Sequence, residues 1–146
     1  MPLIDIIDQS LVVADPAELA VLVADPAWSA RHWPELALTV REHRGVEGVR
    51  WQVGGALTGR AEVWLQPWQD GTVLNYFLQA DPAAHRIGRA DPNRLGQRLR
   101  REYQLRWRRV ANGLKDQLEA GRAVGAARLP TPPEAGPWLR TTPGPR

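Results

Sequence analysis

The chain has 146 residues, a formal net charge of +3 and 43% hydrophobic residues, enough apolar material for one domain with its own core. It contains no cysteine, which excludes disulfides, thiolate metal ligands and cysteine nucleophiles, and its three histidines, His32, His43 and His85, show no metal-binding spacing. No metal and no other cofactor is expected, and with no apolar run near the roughly 20 residues of a membrane span and no basic leader, the reading is a cytoplasmic protein.

Leu3 to Val13 is rich in β-branched residues and reads as a strand. Asp15, Pro16 and Glu18 then form a helix start of the capping-box type, and Asp25-Pro26 repeats the signal, so two short helices follow, the second stopped near His32 by Pro34. From Leu36 the period changes to two. Leu36–Arg41, Val49–Val53 and Ala61–Gln66 alternate apolar and polar residues as half-buried antiparallel strands do. Gly54-Gly55 suggests a bulge or bend and Thr58-Gly59 a turn. Asp70-Gly71 reads as a two-residue hairpin loop that pairs Pro67 with Leu74, Leu65 with Tyr76 and Val63 with Leu78 on the interior face, and Trp64 with Phe77 on the exterior. That exterior aromatic pair could mark a dimer patch, so monomer and homodimer both stay open. Residues 81 to 90 read as a polar loop.

Asp91 to Arg122 is the longest signal. Leu95, Leu99, Tyr103, Trp107, Val110, Leu114 and Leu118 recur at three- and four-residue steps along one stripe of a helix. Asp91 and Pro92 suit its start and Gly121 its stop. Nine basic against four acidic side chains give this segment +5, which leaves −2 for the rest of the chain. Arg94, Arg98, Arg101, Arg108, Arg109 and Lys115 fall on the arc away from the stripe. That arc is a solvated face or a surface for anions. Residues 123–146, rich in Pro, Gly and Arg, carry no periodicity and are expected to form a disordered or extended tail, so the domain is 1–122.

These elements give an α+β chain in which a curved antiparallel sheet wraps around a long C-terminal helix, with two short helices after the first strand. On the opening LVVADPAELAVLVADPAW with Trp33-Pro34, the run VRWQVGGALTGRAEVWLQPWQDGTVLNYFLQADP and the amphipathic last helix, the chain resembles the START-like, helix-grip superfamily. Within it, the resemblance is to the bacterial polyketide cyclase/dehydrase and lipid-transport branch. It implies a cavity between sheet and helix that takes lipids, sterols, isoprenoids or polyketides.

Three functions remain open at this point. The first is carriage of a hydrophobic small molecule by Trp33, Trp51, Leu65, Tyr76, Leu78, Leu99, Tyr103 and Trp107, although the aromatic members serve equally well to fill an ordinary core. The second is a polyketide aromatase, cyclase or dehydratase, for which Tyr76, Tyr103 and His43 are the candidate acid/base groups, with Glu62 and Arg60 behind them; Glu62 sits on the exterior face of the register above. The third, ranked last, sets the arginine-rich arc on RNA or transiently on an anionic membrane; it is disfavoured because the helix's aromatics belong to the apolar stripe.

Overall fold

The computed structural model describes residues 2–89 and 91–119. Strand β1 (Ile4–Val12) is followed by helices α1 (Pro16–Ala24) and α2 (Pro26–His32), then by strands β2 (Leu36–His43), β3 (Gly48–Gly55), β4 (Leu57–Trp68) and β5 (Gly71–Pro82). A single turn of helix, α3 (Ala84–Ile87), precedes the long helix α4 (Pro92–Glu119). The strands form one antiparallel sheet in the order β1-β5-β4-β3-β2. It is the expected α+β helix-grip arrangement, a curved sheet closed by the long helix. The tail from 123 to 146, with Trp138, lies outside the described residues.

The helix starts follow the capping signals. Asp25 Oδ1 accepts the Ala27 N–H at 2.9 Å and Asp91 Oδ1 the Asn93 N–H at 3.0 Å, each with proline at the first helical position. On α4 the apolar stripe is buried from Leu95 to Leu114, with Tyr103 and Trp107 at its centre.

Helix α4 lies lengthwise along β1. Gly96 is against Leu3, where an added Cβ would come within 2.9 Å of the Leu3 side chain, and Glu119 at the other end accepts the Val13 N–H at 2.8 Å. From Gly96 to Glu119 a helix advances about 35 Å, and from Leu3 to Val13 a strand advances about 33 Å, so contact is kept along the whole length. Between these ends the Arg100 Nε donates to the Asp5 carbonyl at 3.1 Å and the Trp107 Nε1 to Asp8 Oδ2 at 3.0 Å.

Two turns differ from expectation. The β4–β5 loop is Gln69-Asp70 rather than Asp70-Gly71: Trp68 pairs with Gly71, Leu65 with Leu74, Val63 with Tyr76 and Ala61 with Leu78. The register is displaced by two residues. Side chains alternate with a period of two, so such a shift keeps every residue on its face and leaves the hydrophobic pattern unchanged. Gln69 takes up the positive φ of 53°, while Gly71 sits where a Cβ would meet the Val12 carbonyl oxygen at 2.6 Å. The glycine serves close strand approach rather than the turn. Trp64 consequently faces Asn75, and Phe77 faces Glu62. The β3–β4 connection turns at Gly55-Ala56, with Gly55 at φ 86°, whereas Thr58 and Gly59 belong to β4. Strand β5 runs on to Pro82, so the expected polar loop is shortened from its front.

Candidate functional site

Alternation directs Val49, Trp51, Val63, Leu65, Leu74, Tyr76 and Leu78 of the sheet toward α4, all of them at most 3% exposed. Trp33, carried on the short connection between α2 and β2, is 2% exposed and lies over the same face. Its ring runs parallel to those of Tyr76 and Trp107, with centroids 6.2 and 6.3 Å away and interplanar angles of 7° and 9°. Tyr76 and Trp107 are themselves stacked at 4.1 Å and 7°. Trp28 and His32 meet Trp33 edge-on. Aromatic pairs of this kind contribute roughly 0.5–1.5 kcal/mol each beyond their burial.

The sequence reading expects a ligand between sheet and helix at these residues. The stack closes the middle of that space, because rings at 4.1 Å are in van der Waals contact and admit nothing between them. Of the eight expected ligand contacts, Trp33, Tyr76 and Trp107 come together in the stack and Tyr103 adjoins it through the polar cluster below. Trp51, Leu65, Leu78 and Leu99 are buried in the same apolar core, with no ring contact joining Trp51 to the stack. His43 is not brought to the site. On β2 it pairs with Val49 of β3, three strand spacings or roughly 14 Å from Tyr76, and its side chain is exposed. Glu62 faces outward as expected, bound to Arg44 at 2.6 Å and Arg50 at 3.2 Å.

At one end of the stack lies a polar cluster that the sequence reading missed. The Tyr103 hydroxyl donates to Glu35 Oε2 at 2.5 Å, and Arg106 Nη1 donates to the same oxygen at 2.6 Å. Arg106 also reaches the His32 carbonyl at 3.4 Å and lies over the Tyr103 ring, 4.8 Å from its centroid. Glu35 follows Pro34 in the turn into β2, so the turn after α2 is clamped to α4 across 71 residues of sequence. Arg106 carried a signal: it stands three residues after Tyr103 and beside Trp107, at the border of the apolar stripe rather than on the outward arc. The second missed acid is Asp8, which points inward from β1, accepts the Trp107 indole and lies 3.7 Å from Arg108.

Electrostatics set what these groups can do. Burial would raise the Glu35 pKa, but hydrogen bonds from Tyr103, its own backbone and Arg106, together with the Arg106 charge, hold the carboxyl below its ordinary value, so it stays ionised. Burial pushes the Tyr76 hydroxyl well above the ordinary tyrosine range, and burial with the adjacent Glu35 does the same to Tyr103. Both remain neutral hydroxyls, suited to hydrogen bonding and not to proton abstraction. Burial, then Arg31, lowers the pKa of His32. Among the described residues the buried Trp33 Nε1–H has no hydrogen-bond partner. An orphaned buried donor costs roughly 1–3 kcal/mol, so an acceptor is wanted here.

Among the described residues no group of three or more potential metal-ligating side chains occurs, and no helix is long and apolar enough to cross a membrane. No family model matches the chain, and no curated protein matches it. Solved structures do resemble it. The solution structure of the Aha1 dimer from Colwellia psychrerythraea superposes with a TM-score of 0.55 at 12% identity, covering 82% of this chain and 99% of that one. A crystal structure of a Deinococcus radiodurans protein has a TM-score of 0.47 at 14% identity over 69% of this chain and 97% of that one. At such identities the first likeness speaks to the fold alone, a helix-grip arrangement.

Proposed function

We propose that the protein binds a small, largely apolar molecule at the polar end of the seam between sheet and α4, and that it does so without catalysing a reaction. The observation that carries this reading is the Trp33 indole N–H, buried without an acceptor among the described residues, on a ring stacked parallel to Tyr76 and Trp107. A ligand carbonyl, ether or hydroxyl oxygen would supply the acceptor that this donor lacks, while the Trp33 and Tyr76 rings would take its apolar body. Glu35, Tyr103 and Arg106 form a latch beside this point, and Trp33 leaves the stack to admit the ligand. The closed stack favours a compact molecule over a long-chain lipid. A cyclase or dehydratase reading is less well supported, since a charged Glu35 and two high-pKa tyrosines offer no group poised to trade a proton near neutrality. The helix-grip likeness to an Aha1 dimer leaves assembly as a homodimer compatible with this reading.

Native mass spectrometry of protein purified from its own host should reveal a retained molecule, and its addition to stripped protein should quench tryptophan fluorescence and raise Tm. Trp33→Phe keeps a ring and removes the N–H, so affinity should fall about three- to tenfold, the effect of one neutral hydrogen bond of roughly 0.5–1.5 kcal/mol. Undiminished affinity in that variant would remove the basis of the proposal.

A further inference from the structure

The sheet's other face carries a groove of about 950 Å³, lined mainly by outward residues of β2 to β5, together with Pro2, Trp51 and Ala61. Its charges are not evenly matched. Both carboxylates of the groove are engaged: Glu62 holds Arg44 and Arg50, and Glu42 holds Arg50 at 3.2 Å. Among the described residues Arg41 and Arg60 have no carboxylate partner. Arg41 Nη1 donates to Gln52 Oε1 at 3.0 Å, and Arg60 donates through both Nε, at 3.0 Å, and Nη2, at 2.7 Å, to Gln79 Oε1.

These pairings have a chemical consequence. A guanidinium has donors only, so each glutamine must turn its oxygen toward the arginine, and its NH2 group is left pointing elsewhere. Gln52, Arg60 and Gln79 are consecutive partners across β3, β4 and β5, so the donors are held in one cross-strand row. Arg41 adds its guanidinium from the bulge in β2, two strand spacings or about 10 Å from β4, and Thr58 adds a hydroxyl. Asp5, opposite Gln79 on β1, does not line the groove. Two forks, two amides and a hydroxyl offer more donors than the roughly four lone-pair sites of one carboxylate can use, and they suit a phosphate dianion. Phe77, half-buried on the same wall, gives an apolar surface beside them.

We propose that this groove is a binding site for a small organic phosphate, its phosphoryl group between Arg41 and Arg60 and its apolar part against Phe77. It is distinct from the seam on the inner face.

The probes are phenyl phosphate and inorganic phosphate, titrated into the full chain at fixed near-physiological ionic strength by calorimetry, with backbone amide NMR to locate the response. Phenyl phosphate should bind saturably at one site and more tightly than inorganic phosphate, shifting Arg60 to Glu62 of β4 rather than α4. Arg41→Gln and Arg60→Gln should each weaken it at least about tenfold, the loss of charge-assisted bonds worth roughly 1.5–3 kcal/mol. Arg60→Lys, which keeps the charge and loses the fork, should recover only part of the affinity. Arg94→Gln on the outward arc of α4, and Trp33→Phe on the inner face, should leave it unchanged. Binding that is absent or unsaturable, or that weakens equally in Arg94→Gln and Arg60→Gln, would overturn the assignment. Equal affinity for the two probes would remove the role given to Phe77.

Discussion

The two faces of one sheet solve opposite problems with the same alternating strands. The inner face spends aromatic residues on a parallel stack of Trp33, Tyr76 and Trp107, backed by aliphatic side chains, and keeps its few polar atoms at the margin. The outer face of β2 to β5 carries cross-strand Arg–Glu and Arg–Gln pairs that stay in reach of water. Stability should therefore reside on one side and ionic recognition on the other. The outer pairs are not uniform: Arg50–Glu42, about half exposed, is screened by water, whereas Arg44–Glu62, at 24% and 19% side-chain exposure, is as shielded as Arg106–Glu35 at the end of the seam, at 22% and 29%.

The comparison is broken most forcefully at Trp107, which is fully buried and touches both other rings. Trp107→Ala should cost about 3–5 kcal/mol in urea unfolding, as large-to-small aromatic changes in cores do. Arg60→Ala on the exposed outer face should stay within about 0.5 kcal/mol. Similar losses in the two variants would show that the outer pairs carry the fold as much as the stack does.

What was legible in the sequence divides along the same line. Helix α4 was readable because its stripe repeats over seven turns, and the inner-facing strand residues because alternation survives any even shift of register. The even shift is also why the β4–β5 pairing was misread: Asp70-Gly71 looks like a loop by composition, and only the approach of Val12 to Gly71 places the glycine within the strand. The polar end of the seam was invisible for another reason. Glu35 in a turn and Arg106 on a helix are each ordinary, and their meeting is set by how α2 lies over α4. Arg100 and Arg106, the two arginines of α4 before Arg108 that fall outside the outward arc, are the two that bind across to Asp5 and Glu35. Position relative to the stripe, rather than charge count, was the usable clue.

A smaller effect sharpens the comparison at Asp8. This carboxylate lies on the inner side of β1 and accepts the buried Trp107 N–H, an acceptor that water cannot readily replace. Asp8→Ala should cost roughly 1–3 kcal/mol, and Asp8→Asn, which keeps a carbonyl oxygen for the indole, should recover most of it. The matched change on the outer face, Glu42→Ala, leaves Arg50 in contact with Glu62 and should be close to neutral. Equal losses for Asp8→Ala and Asp8→Asn would mean that the charge of Asp8, 3.7 Å from Arg108, matters more than its bond to the indole.

The smallest expected effect is a pH dependence confined to the inner margin. Glu35 is held below its ordinary value of 4.5 in the folded chain, so its contribution is complete above that value and is lost as pH falls through the lower, folded-state pKa. His32, whose pKa is also lowered, loses its own contribution as pH falls from 6.5 toward the folded-state value, which would obscure a single titration. The difference between wild type and Glu35→Gln removes that term, because both proteins keep His32. Unfolding free energies should therefore differ by a constant amount at pH values well above 4.5, and the gap should narrow as pH falls below it and Glu35 takes up its proton. Tyr103→Phe takes away a bond that holds the carboxyl down, so in that background the narrowing should begin at higher pH. A gap that stays constant to the acid limit would mean that Glu35 contributes by shape alone, and the latch of Glu35, Tyr103 and Arg106 would then be a packing contact like the rest of the core.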